Sequence, residues 1–599
     1  MAMADIKKPQ VDAVLVGFGW TGAIMGMELT QAGLKIVALE RGENRDTYPD
    51  FTYPRIADEL TYGIRHKLFQ NLARETLTIR HSPGDRALPY RQLGSFLPGT
   101  GVGGGGVHWN GQHWRVLPEE LRLKSHMTER YGRSFIPDGM TIQDFGVSYE
   151  ELEPYFDQFE RVCGTSGKGG NLNGTIVEGG NPFEGQRSRE FPLPPLADAY
   201  GATLFARTAK ELGYHPFSEP ASNASRPYTN PYGAQLAPCN FCGYCERFGC
   251  YMYAKASPQT TILPVLLKKP NFELRTQSQV VRINLDSSRK RATGVTYIDA
   301  QGRKVYQPAD LVILCAYQLN NTRLLLLSGI GKPYNPATDQ GVVGRNYTYQ
   351  MTGGVMVFFD KDKPMNPFIG TGAGGQVIDD LNGDHFDHAP LGFIGGGYVG
   401  VIQTGGRPIQ QMLLPKDTPQ WGAKWKQAIK DHYLYTVNIQ THGTVMAHRD
   451  NYLDLDPTYR DVFGQPLLRM TFDWKENDIK MTQFVTGKAK EIGEAMGGKS
   501  IEAKMKQFGD HYDTRIYQTT HNVGGAIMGE DPQSSVVNRF LQTWDAHNVF
   551  VMGSSVFPQN IGYNPMGLAG ALTYWSAKAI RTAYLKTPGP LVQAGARSV

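Results

Sequence analysis

The sequence is short of several things, and each shortage excludes a class of protein. It holds only six cysteines in 599 residues, too few and too unevenly placed for a disulfide framework. No uninterrupted apolar stretch approaches the roughly 18 residues needed to span a bilayer. Residues 1–10 lack the apolar core of a secretory signal. The formal net charge is only +5, and lysine and arginine are scattered, so no basic stripe points to nucleic acid. Apolar residues (40%) and charged residues (20%) stand at ordinary globular levels, which excludes extended disorder. On these grounds alone the chain reads as soluble and cytoplasmic.

Glycine is the surplus. There are 69, against about 7% of residues in ordinary proteins, and they follow no collagen-like period. They belong in turns and in loops that approach a ligand. The length exceeds one core at ~100–200 residues per domain, so two or more lobes are expected.

The first glycine concentration has a clear context. Val11 to Val16 is a short apolar, β-branched run, the pattern of a buried parallel strand. It leads into Gly17-Phe18-Gly19-Trp20-Thr21-Gly22, a helical stretch through Leu29, and a second strand Ile36 to Leu39 ending at Glu40. This is the dinucleotide-binding fingerprint. Gly17 permits the tight turn, Gly19 lets backbone approach a pyrophosphate, and Gly22 allows close helix–strand packing. Glu40 stands where a carboxylate can bond a ribose hydroxyl. The fingerprint alone leaves FAD and NAD both open.

A second concentration runs from Pro98 to Gly111 and includes Gly101, Gly103, Gly104, Gly105 and Gly106, then Val107-His108-Trp109-Asn110. A loop stripped of side chains lets a planar or phosphorylated ligand lie on backbone amides. Near the other end stand His521-Asn522-Val523-Gly524-Gly525, a strand from Asn548 to Val551, and Gly562-Tyr563-Asn564-Pro565-Met566-Gly567 before a closing helix, Leu568 to Leu585.

The two N-terminal glycine motifs and these C-terminal segments together resemble the glucose–methanol–choline (GMC) oxidoreductases, which bind FAD. The resemblance implies an α/β fold of mixed α+β character. An FAD-binding Rossmann-like domain would be assembled from residues 1–120, 271–345 and 510–599. Residues 121–270 would form a substrate or cap region, and 346–509 a substrate-binding domain with an antiparallel sheet. It assigns His521 as catalytic base with Asn564 as its partner, and Gly17, Gly19, Gly22, Glu40, Gly103, Gly104, Asn110, Val281 and Pro565 to the cofactor. His108 is the candidate attachment point for a covalent flavin. The residue types suit alcohol oxidation: a histidine with an ordinary pKa near 6.5 can take the hydroxyl proton, and an amide can orient that hydroxyl without competing for the proton. The helix after Pro565 can stabilise negative charge on the cofactor. Between the ends, Ser148 to Phe156 resembles a family helix, and Val280-Val281 a strand whose backbone meets the adenine. Leu311 to Ala316, Arg323 to Gly331 and Gly344 to Asn346 resemble the strand and loop that return to the FAD domain.

Four of the six cysteines, Cys239, Cys242, Cys245 and Cys250, fall within twelve residues. Thiolates at this spacing can converge on one centre, and the run is close to the ferredoxin pattern with one extra residue before the last cysteine. Zinc sites more often pair two CxxC units across a longer loop, so an Fe–S cluster is favoured over zinc or free thiols. Ordinary GMC enzymes lack such a cluster. The combination resembles the membrane-bound, cytochrome-linked bacterial dehydrogenases of gluconate, fructose, sorbitol or glucose. That resemblance implies a [3Fe–4S] cluster on Cys239, Cys245 and Cys250, with [4Fe–4S] open because Cys242 is also present. It implies electron flow from a sugar-acid or polyol substrate to FAD, then cluster, then a multihaem cytochrome c subunit. It also implies a small chaperone-like subunit carrying the export signal, and a place at the periplasmic face of the inner membrane held only through partners, with a cytoplasmic home as the alternative. The favoured substrate is D-gluconate, oxidised to 2-keto-D-gluconate, and Arg115 or other arginines are candidates for its carboxylate. The alternatives are a dehydrogenase of fructose, sorbitol, glucose or 2-keto-gluconate, a sugar oxidase using O2, and a non-catalytic electron-transfer or zinc-stabilised module.

Overall fold

Burial on both faces makes the central sheet. In this computed structural model, which describes residues 6–51, 67–92, 95–365, 369–402, 414–516 and 519–593, Val11–Val16 and Ile36–Leu39 are buried at all but one position. They pair in parallel, Val16 opposite Leu39, as continuously apolar strands do when helices cover both sides. Lys304–Leu314 runs beside them, parallel to Val11–Val16 on one side and to Val549–Val551 on the other. Phe272–Arg275 extends one edge, and Ala292–Ile298 with Gln279–Leu285 the other, giving eight strands with Ile6–Lys7. The sheet therefore draws its strands from three distant stretches of chain. Helix Trp20–Gln31 packs on helix Met566–Ala579, which packs on Tyr149–Cys163. The last of these starts at a capping box, in which Ser148 accepts from Glu151 N and Glu151 from Ser148 N.

The second sheet has six antiparallel strands, in the order Ser500–Lys504, Met351–Phe358, Thr436–Gly443, Gly397–Ile402, Gly375–Ile378 and Phe217–Ser218. Alternation along Thr436–Gly443 sets its two faces. Val437 and Ile439 join the apolar core made with helices Tyr200–Glu211 and Glu476–Ala495, while Asn438, Gln440 and His442 line a cavity on the opposite face. A third sheet joins Tyr452–Arg460, Pro466–Thr471, Thr78–Arg80 and Leu88–Pro89.

Two sequence expectations change here. The leucine run expected to belong to a strand and loop over Arg323–Gly331 lies in helix Gln318–Ser328, which ends at Gly329 in the left-handed region, φ +66°. The closing helix begins at Met566 rather than Leu568, and after Ala579 it passes into a π-helical turn, Ile580–Tyr584. Among the described residues, no helix is long and apolar enough to cross a membrane.

Candidate active site

A cavity of about 1240 Å³ lies between the two large sheets, larger than the ~300–1,000 Å³ usual for a small ligand. Both glycine loops, the polar face of the antiparallel sheet and the two C-terminal loops contribute to its wall.

At one end the backbone is bare. Gly17 has φ +93°, and a Cβ there would stand 2.6 Å from Cys315 O, so only glycine makes the turn that leads into helix Trp20–Gln31. A Cβ on Gly22 would meet Gly17 O at 2.5 Å, the close approach expected of the third glycine. A Cβ on Gly19, by contrast, would make only an ordinary contact, 3.8 Å from Gly103 O of the second glycine loop, whose Gly103 N donates to Phe18 O at 2.6 Å. Gly17, Gly19 and Gly104 line the cavity, while Gly22 and Gly103 shape it from behind. Glu40 also lines it and accepts from Phe18 N and Gly42 N. Val280, rather than Val281, faces the cavity; Val281 O accepts from Gln465.

His108 ends the short helix Gly105–His108. Its ring lies edge-on to Phe69, 4.7 Å between centroids, and its buried Nε2 has no hydrogen-bond partner. Burial, with Lys255 nearby, pushes its pKa down to about 3, so the imidazole is neutral. The backbone around it is stitched to the cysteine segment. His108 O accepts from Arg247 N at 2.6 Å. The buried Lys255 ammonium donates to Trp109 O, Cys245 O and Phe248 O at 2.6–2.8 Å. The four cysteines thus sit directly behind the loop that carries His108. Their thiols repel one another as anions, and burial with that repulsion raises Cys242 to about 12.

At the other end of the cavity His521 and Asn564 meet, Nδ2 of the amide 3.2 Å from Nε2 of the imidazole. Backbone groups of known polarity decide which way each side chain points. Gln350 Nε2 donates to the carbonyls of Ile561 and Tyr563, so its Oε1 accepts from His521 Nδ1. From the opposite side, the N–H of Gln112 donates to Asn110 Oδ1, so Asn110 Nδ2 donates to Gln112 Oε1 at 2.7 Å. Gln112 Oε1 then also accepts from Asn564 Nδ2 at 2.8 Å, and Asn564 Oδ1 accepts from Tyr398 at 3.1 Å. Both routes give the same result: His521 carries its proton on Nδ1 and presents the Nε2 lone pair to the cavity. Burial, with His442 as a second cause, holds its pKa well below the ordinary value, so the ring is neutral and free to accept a proton. Pro565 follows Asn564 as N-cap of helix Met566–Ala579.

One expectation about this site needs revision. Arg115 does not reach the cavity: it is buried and bonded to Glu160 through two nitrogens at 2.8 and 3.0 Å, and to Glu153 at 3.0 Å. Such a pair is too costly to open for a substrate carboxylate. The cations that do line the cavity include Lys416, Lys504 and Lys506. Sequence reading also missed Gln112, Gln350, Tyr398 and His442; only the alternation of Asn438, Gln440 and His442 signalled a polar sheet face.

Models of the family described as GMC oxidoreductase match residues 144–352 and 447–573. The "Gluconate 2-dehydrogenase flavoprotein" of Pantoea cypripedii is 59% identical over 98% of this chain and 96% of its own. The "Fructose dehydrogenase large subunit" of Gluconobacter japonicus is 24% identical over 95% and 97%. Among solved structures, a formate oxidase from Aspergillus oryzae superposes with a TM-score of 0.59 at 15% identity, covering 98% of this chain and all of its own. That likeness concerns the fold.

Proposed function

The chain belongs to the GMC oxidoreductase family, and on that premise we propose that it is the flavoprotein subunit of a dehydrogenase that oxidises D-gluconate to 2-keto-D-gluconate. The observation that carries the reading is the His521–Asn564 pair, 3.2 Å apart and facing the glycine loops across one cavity. Near-full-length identity to a gluconate 2-dehydrogenase flavoprotein supports the choice of substrate.

FAD is the family's cofactor, and the residues present fit it: two glycine loops with bare backbone, Glu40 beside them, and the orphaned Nε2 of His108 as a covalent attachment point. When bound, it supplies a hydride acceptor. His521 Nε2 takes the hydroxyl proton of the alcohol, and Asn564 Nδ2 orients that hydroxyl. Lys504 and Lys506, on the cavity wall, offer positive charge to the carboxylate end of a sugar acid.

Cys239, Cys242, Cys245 and Cys250 would hold an iron–sulfur cluster, [3Fe–4S] on Cys239, Cys245 and Cys250 or [4Fe–4S] on all four; its chemistry is one-electron transfer. Zinc fits less well. Its sites usually pair two CxxC units across a longer loop, which this segment lacks. Electrons would leave through this segment to a multihaem cytochrome c partner at the periplasmic face, after export with a small signal-bearing subunit. The partner-dependent reading is supported by the lack of a membrane-crossing helix among the described residues.

The test is anaerobic visible spectroscopy of the purified complex. D-Gluconate should bleach the flavin and yield the 2-keto acid; bleaching by fructose, sorbitol or glucose instead would move the substrate assignment. Iron with acid-labile sulfide supports the cluster, and zinc alone sinks it.

A further inference from the structure

One buried acid beside the site has no part in the reaction just described. Glu219 follows strand Phe217–Ser218 and is held by its own N–H to Gly375 O at 3.1 Å. It is 3% exposed, and its Oε1 accepts from Gln112 Nε2. The indole of Trp114 lies beside the carboxyl, and burial pushes the acid well above the usual carboxylate range. A buried carboxyl of this kind is costly unless a neighbour needs it. The neighbour is Gln112.

The Gln112 amide is a relay with two possible polarities. As it stands, Nε2 donates to Glu219 and to Tyr398 at 3.0 Å, while Oε1 accepts from Asn110 and Asn564. If the amide turned over, its NH2 would confront the NH2 of Asn564. Asn564 would then turn as well and present Oδ1, not Nδ2, to His521 and to any hydroxyl lying between them. An acceptor facing the imidazole lone pair repels it and cannot orient a hydroxyl whose proton is leaving. Three further groups touch the relay amide. Asn110 is held by a single 3.2 Å bond from the Gln112 N–H, and the Tyr398 hydroxyl can rotate to suit either polarity. Glu219 accepts on the far side: Oε1 takes the Gln112 Nε2–H, so the acid's own proton stays on Oε2, and reversal would need that proton moved to Oε1.

We propose that Glu219 is a positioning residue for the alcohol oxidation: by accepting from Gln112 Nε2 it fixes the relay amide, and through it the donor face that Asn564 turns toward His521. The inference rests on the proposed function, because it needs an alcohol docked between His521 and Asn564.

The experiment compares wild type, Glu219→Leu and Glu219→Gln in the intact complex, by stopped-flow reduction of the flavin with D-gluconate. Leucine removes the acceptor at similar volume; glutamine can still present an oxygen to Gln112. For E219L the rate of flavin reduction at saturating substrate should fall about ten- to a hundredfold, with KM within about twofold, flavin content unchanged and Tm near wild type. E219Q should recover most of that loss. Wild-type rates in E219L overturn the proposal. So do equal losses in both variants, or a loss that follows flavin content and Tm, since those describe a merely structural residue. If gluconate leaves the wild type oxidised, the substrate reading fails separately, and the comparison is made with the alcohol that does bleach it. A wild type inert to every alcohol overturns both.

Discussion

Gln350 Oε1 accepts the Nδ1–H of His521, and the Gln350 amide nitrogen is occupied by the carbonyls of Ile561 and Tyr563. The imidazole is thereby locked in the tautomer that leaves Nε2 unprotonated toward the cavity. Gln350→Leu removes that lock and lets the proton move to Nε2, where it blocks the base. Flavin reduction should slow on the order of a hundredfold or more, with flavin content and thermal stability little changed. Stopped-flow absorbance under anaerobic conditions measures it.

His521→Ala removes the base itself and should lower the same rate by about 10²- to 10⁴-fold. Asn564→Ala removes only the orienting amide and should cost less, about ten- to a hundredfold. The double variant should lose less than the product of the two single losses, because both groups act on one hydroxyl. Fully multiplicative losses would contradict a shared role.

How much of this was legible in the sequence follows from how local each feature is. The dinucleotide fingerprint lies within 24 residues, from Gly17 to Glu40, so strand, turn and helix could be placed directly. The cysteines were legible for the same reason. The relay was not: Gln112, Glu219, Gln350 and Tyr398 come from distant parts of the chain, and a lone glutamine carries no local signal of its partner. The Leu324–Leu327 run was misassigned because a short unbroken apolar stretch has no period, and buried helix and buried strand look alike. Arg115 looked available because its partners, Glu153 and Glu160, sit on a helix that only the fold brings beneath it.

His108 provides a test of attachment that does not depend on turnover. Its Nε2 is buried, neutral and unpartnered, so a flavin bonded there should stay with the protein through acid precipitation. His108→Ala should release all the yellow colour into the supernatant. Complete release from the wild type would rule out the covalent bond and leave His108 as a packing residue.

The pH dependence of reduction should follow His521. Burial and His442 hold its pKa well below 6.5, so the neutral base persists at pH values where an exposed histidine would already be protonated. The acid limb of kcat/KM should therefore lie below pH 6.5. His442→Gln removes the secondary cause and should move that limb upward by a fraction of a unit. An acid limb at or above 6.5 in the wild type would place the controlling ionisation elsewhere.

Stability should depend on pH through a second group, Glu120, beneath the loop that carries Asn564. Its two oxygens accept from Gly562 N and Leu117 N. Burial, with repulsion from Glu119 and Asp379, nonetheless raises its pKa to about 8 from the ordinary 4.5. The folded state thus holds a proton that the unfolded chain releases above 4.5. The contribution is fully present below pH 4.5 and is lost as pH rises through about 8. Tm should accordingly decline across that window. Glu120→Gln keeps an acceptor for Gly562 without an ionisable proton, so its Tm should vary less with pH between about 5 and 8. Thermal unfolding of both proteins at a series of pH values decides the matter; parallel curves would assign the pH dependence to another buried acid, such as Asp379, which burial raises to about 6.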